Sequence, residues 1–99
     1  MPIKSFADET TSDIYYGINS KAARRIPQRV WKAAQRKMSL LNASTKTADL
    51  NLPGMATESL KYTQPGYFSI RVNDQYRITF QFVNGDAYDV QLSDPHDGK

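Results

Sequence analysis

The chain has 99 residues, a formal charge of +3, no cysteine and 39% hydrophobic residues, which fits one domain with one core and leaves no room for a second. The absence of cysteine excludes a disulfide framework, a thiolate nucleophile and a cysteine-ligated metal site. No apolar run approaches the roughly 20 residues of a membrane-spanning helix, and residues 1–6 lack the apolar stretch of a signal peptide. A single soluble, cytoplasmic domain over residues 1–99 with no membrane partner is expected.

A short strand is predicted at residues 3–6. Asp8 then caps a first helix with acids in its opening turn, and Gly17 stops it. Thr10, Thr11 and Ser12 are weak helix formers there. The second helix is the clearest element: Pro27 suits its first turn and good helix formers run from Gln28 to Leu41. Trp31, Ala34, Met38 and Leu41, with Val30 beside them, form one apolar stripe that belongs to the core. Arg25, Arg29, Lys32 and Arg36 recur at helical spacing as a basic stripe facing water or a partner. They lie within residues 21–46, which hold eight basic and no acidic residues, so a polyanion or an acidic partner is a natural reading and a merely solvated helix face the plainer one. Leu50, Leu52 and Met55 mark the next segment as an ordered loop.

Three strands follow at residues 67–72, 76–83 and 87–93, each with apolar even positions and polar odd ones. That alternation describes a sheet with one buried and one wet face. Helices first and strands second point to an α+β fold, an antiparallel meander packed through its even residues on the second helix. Pairing even with even residues requires odd loops. A three-residue loop at residues 73–75 sets Arg71 opposite Arg77. A three-residue loop at residues 84–86, preferred over a two-residue Asn84-Gly85 turn, pairs Phe82 with Tyr88 and Phe80 with Val90, and sets Ser93 opposite Arg77. The wet face then carries Arg71, Arg77 and Ser93 in one row that ends beside Asp94-Pro95-His96.

Two arginines facing each other across a ladder repel, and their juxtaposition favours an anionic ligand of phosphate type; the alternative is that each pairs with Asp74, Asp89 or Asp94. His96 is the single histidine, and an imidazole is a side chain able to give or take a proton in catalysis. Cleavage of RNA needs a base for the 2′-hydroxyl, positive charge for the phosphorane and an acid for the leaving oxygen. His96, Asp94, Arg71, Arg77 and Lys61 can supply all three. One histidine and scattered carboxylates make no metal-ligand cluster, and no phosphate-loop or dinucleotide motif is present, so no metal and no cofactor are expected.

Residues 3–6, the stretch from Gly66 to Phe80, residues 84–88 and the ending Asp94-Pro95-His96 resemble the HigB toxins of the RelE superfamily. Leu52-Pro53-Gly54 followed by Glu58 and Leu60 fits the same pattern, so the resemblance covers nearly the whole chain. It implies a microbial-ribonuclease-like α+β fold and an endoribonuclease that cuts messenger RNA on the translating ribosome. It also implies a HigA-type helix-turn-helix antitoxin as partner, with operator DNA bound only through that antitoxin. The site residues it carries over are His96, Asp94, Arg77 and Lys61, with Arg71 usual in closer relatives. Two positions depart from the pattern. Pro95 stands where the family has tyrosine, and Glu58 stands where some members have histidine, as a base or as a structural partner of Lys61 or an arginine. A second expectation of another class follows from Pro95: a non-catalytic module that acts by binding antitoxin, ribosome or another target.

Overall fold

Asp8 opens the first helix, α1 (Glu9–Tyr15), by accepting a hydrogen bond from the Thr11 amide at 2.8 Å in the computed structural model, which describes residues 1–96. Gly17 ends it in the left-handed region at φ 74°, a conformation that costs glycine little. The weak formers of α1 have tertiary uses: Thr10 Oγ1 donates to the Ala22 carbonyl, and the buried Thr11 Oγ1 accepts from the Leu92 amide, docking the helix onto the last strand. A short 3-10 turn at Ala23–Arg25 precedes α2 (Gln28–Ala43), which Pro27 begins. Val30, Trp31, Ala34, Met38 and Leu41 are all buried, as their spacing predicts. Arg25 does not continue the basic stripe of α2, because the chain turns extended at Ile26 before the helix starts. No helix among the described residues is long and apolar enough to cross a membrane.

The second half folds as a four-stranded antiparallel sheet in the order β1 (Glu58–Ser59), β2 (Tyr67–Arg71), β3 (Arg77–Val83) and β4 (Asp86–Ser93). The expected α+β arrangement is therefore present, with β1 as an added edge strand too short to carry an alternation signal. Ile70, Ile78, Phe80, Val90 and Leu92 bury one sheet face together with both helices, and Leu50 and Met55 of the long loop complete the core. Between β2 and β3 the register is the predicted one, with Ile70 opposite Ile78 and Arg71 opposite Arg77.

Between β3 and β4 the prediction fails at the turn and recovers beyond it. Val83 pairs with Asp86 and Phe82 with Ala87, so the loop is the two-residue Asn84-Gly85 turn, both residues having positive φ as such a turn demands. Phe82 therefore does not face Tyr88, which lies opposite Gln81. Phe80 then meets two residues, Asp89 and Val90, in a β-bulge between Thr79 and Gln81. The extra residue restores parity, and Arg77 faces Ser93 as predicted. Asp89 absorbs the kink at φ 54°.

The predicted opening strand is two parallel bridges, Ile3 to Ala87 and Phe6 to Val90, along the outer edge of β4. The bulge breaks the ladder between them, where Ser5 Oγ accepts the Asp89 amide at 2.9 Å.

Candidate active site on the open face of the sheet

The odd-numbered residues Tyr67, Ser69, Arg77 and Thr79 of β2 and β3, with Asp89, Gln91 and Ser93 of β4, floor an open cavity of about 440 Å³. Glu58, Tyr67, Ser69, Arg77, Thr79, Asp89, Gln91 and Pro95 line it. Arg77 is its most constrained cation, with a side chain only 21% exposed. Its Nε donates to Ser69 Oγ at 2.5 Å, and its Nη2 donates to the Ala56 carbonyl at 2.7 Å. Glu58 Oε1 lies 3.7 Å from the same Nη2. Both N–H groups of Nη1 are left without an acceptor among the described residues, so the guanidinium is held by one side and keeps two donors for an anion.

The loop before β1 supplies that hold. Three successive carbonyls accept hydrogen bonds from three different elements: Gly54 from Lys37 Nζ of α2, Met55 from the Arg71 amide of β2, and Ala56 from Arg77 of β3. Ala56 carries φ 42° to turn its carbonyl that way. Lys37 is buried, and that burial lowers its pKa, with the charges of Arg36 and Arg71 adding to the effect.

The sequence-predicted residues fall into three groups and a lone lysine. Arg71 and Arg77 are adjacent, and their repulsion is relieved separately: Arg71 pairs with Asp74, as the alternative reading anticipated, whereas the acid beside Arg77 is Glu58. Asp94 and His96 form a second group. Asp94 Oδ1 accepts the His96 amide at 2.9 Å and lies 3.5 Å from His96 Nδ1, and Gln75 Nε2 donates to Oδ2. The imidazole is 81% exposed, while Asp94 is largely covered. Asp94 and Arg25 line a neighbouring hollow of about 300 Å³, which shares Gln91 and Ser93 with the main cavity. Lys61 is solvent-exposed past β1, its Nζ 5.1 Å from the centre of the Tyr62 ring. Elsewhere Arg29, Lys32 and Arg36 border a shallow groove on the outer side of α2.

Tyr67 and Ser69 are among the cavity residues that the sequence reading does not single out. Ser69 and Tyr67 share the odd parity of Arg71, so the alternation pattern holds the information. Asp89 has the same odd parity, and the sequence reading offers it only as a partner for an arginine, whereas its partner is Tyr67. Asp89 Oδ2 accepts the Tyr67 hydroxyl at 3.0 Å, and that bond to a carboxylate raises the tyrosine pKa, with desolvation and the carboxylate charge adding to it.

Residues 4–96 match the family described as the RelE-like toxin of type II toxin–antitoxin system HigB. The chain is similar to Toxin HigB-1 of Vibrio cholerae serotype O1, with 39% identity over 92 residues, which is 92% of this chain and 94% of that protein. It is also similar to Endoribonuclease HigB of Proteus vulgaris, with 38% identity over 60 residues, covering 61% of this chain and 65% of that one.

Proposed function

Because the chain belongs to the HigB-like toxin family of type II toxin–antitoxin systems, we propose that it is an endoribonuclease that cleaves messenger RNA on the translating ribosome by attack of a 2′-hydroxyl. The observation that carries this reading is Arg77, fixed on the floor of an open cavity with two N–H donors unengaged among the described residues. Fixed positive donors aimed at developing charge are the largest contribution a site makes to phosphoryl chemistry of this kind. The name of the Proteus vulgaris relative supports the same activity.

Arg77 binds the scissile phosphate and neutralises the phosphorane, with Arg71 and Lys61 closing the cationic clamp. His96 moves a proton to or from the reacting oxygens, and Asp94 orients its ring through contact at Nδ1 or serves as the alternative base. Glu58 beside Arg77 is a further candidate for the base that takes the 2′ proton. The exposed imidazole suits a group that meets its partner atoms only when the message lies across the sheet.

The partner of such a toxin is an antitoxin, here of the HigA helix-turn-helix type, through which alone the chain reaches operator DNA. The groove edged by Arg29, Lys32 and Arg36 meets ribosomal RNA or an acidic antitoxin surface, and Arg25 contributes from the far side of Ile26. A second reading rests on Pro95, which lines the cavity and whose side chain has no hydrogen-bonding group at the place where the family carries tyrosine. On that reading the chain binds without cutting.

Primer extension on ribosomes programmed with a defined message separates the two. New 5′ ends with the wild type and their loss with His96→Ala support cleavage through His96. Ribosome binding without new ends replaces the enzyme by the binding module.

A further inference from the structure

On the proposal that the cavity holds RNA, we propose that Tyr67 and Asp89 form a subsite for the nucleobase next to the scissile phosphate, selecting a base with an exocyclic amino group over uracil. The spacing comes from β2. Arg77 Nε lies on Ser69 Oγ, so the phosphate position is over Ser69. Tyr67 stands two residues along the same face of the same strand, about 7 Å away at the rise of a β-strand. That is the interval between a phosphate and its own base in a nucleotide, and both positions open onto one cavity of about 440 Å³.

The chemistry of the far end fits a base and not a second phosphate. The Tyr67 ring is half-buried at its strand end, and its hydroxyl is tied to Asp89 Oδ2. A ring fixed in this way is a flat stacking surface with little rotational freedom left to lose. The phenol donates to one carboxylate oxygen, Oδ2, at 3.0 Å. Oδ1 accepts no hydrogen bond from the described residues.

Asp89 reaches the cavity only because the bulge carries it there, in a backbone conformation that few residues adopt readily. An ionised carboxylate accepts hydrogen bonds and donates none. It pairs with the amino group of cytosine or adenine, or with the N–H edge of guanine, and it repels the carbonyl that uracil offers at the same place. A negative charge on the floor of an RNA site weakens overall binding, so its return must come as selection among bases.

The cleanest probes are oligo(C) and oligo(U) trinucleotides, whose bases are both pyrimidines and differ at the group that Asp89 would read. Binding is followed through the Tyr67 ring resonances, and cleavage through messages that carry C or U beside the cut. The expected result is a preference of about tenfold for C in both measurements, the worth of one good base contact. Asp89→Asn keeps the side-chain volume, tolerates the left-handed backbone and supplies a donor for uracil, so the preference should shrink to within about twofold. Tyr67→Phe keeps the ring, and discrimination should fall while stacking survives.

A wild type that binds C and U equally, with a C/U cleavage profile unaltered by Asp89→Asn, overturns the subsite. A C preference in binding that Asp89→Asn removes, in a chain that cuts no message, supports the subsite and overturns the enzyme reading instead.

Discussion

Replacing Arg77 by lysine keeps the charge in the cavity and removes the geometry. The guanidinium spans Ser69 Oγ at 2.5 Å and the Ala56 carbonyl at 2.7 Å while Nη1 meets no acceptor among the described residues. An ammonium has one nitrogen on a flexible stem and cannot reach both acceptors and still present fixed donors to a phosphate. Ser69 is 2% exposed, so its hydroxyl oxygen loses its donor with little access to water. An acceptor stranded in this way costs about 1–2 kcal/mol, which for a domain of this size lowers the melting temperature by roughly 5–15 °C. Loss of one fixed donor at a developing oxyanion reduces the rate by about 10²–10³. Because the net charge is unchanged, the salt dependence of RNA binding should stay the same. Arg77→Lys should therefore melt several degrees early, bind RNA with the same salt slope, and cut programmed ribosomes at least about a hundredfold more slowly in single turnover. Cleavage within threefold of wild type would show that charge alone suffices and that the hold on Arg77 has no catalytic meaning.

Gly85 has φ 85° in the turn between β3 and β4, so Gly85→Ala should cost about 1 kcal/mol in urea unfolding; no loss would argue for a different turn. Lys37 has a lowered pKa in the fold, from burial first and from Arg36 and Arg71 after it. Above the lowered value the unfolded chain binds the proton more readily than the folded one, so stability should rise with pH until the ordinary value of 10.5 is passed. Lys37→Met should flatten that rise in urea midpoints measured across the alkaline range. Reversing charge at Arg29, Lys32 and Arg36 together should weaken binding to ribosomes or to the antitoxin by about tenfold or more with an unchanged circular dichroism spectrum. Unchanged affinity for both would take the groove on α2 out of the mechanism.

Periodicity makes much of the fold legible in the amino-acid sequence. The apolar stripe of α2 and the even residues of β2 and β3 are the core, and odd-loop counting places Arg71 against Arg77 without error. The same counting fails at residues 84–86 for a definite reason. Parity can be kept by an odd loop, or by an even loop followed by a bulge, and alternation alone does not distinguish them; Asn84-Gly85 is the signal that does. The hold on Arg77 is legible only in its Ser69 half, since the other half is the main-chain carbonyl of Ala56, whose side chain says little about where its oxygen points. Arg25 falls on the wrong element when helical spacing is counted across Ile26 and Pro27, where the helix has not yet begun.

The parallel bridges from Ile3 and Phe6 to Ala87 and Val90 also set an order of events. Residues 84 apart in the chain meet at Ser5 and Asp89, and β4 follows the other described strands in chain order. Contacts at such separation close late, because the loop entropy must be met before they stabilise anything. Until β4 has left the exit tunnel, Arg77 lacks its neighbour Ser93, Thr11 has no Leu92 amide to receive, and one wall of the cavity does not exist. A nascent chain therefore carries both helices and the arginine pair before it carries the cavity, which forms only once β4 has emerged and docked.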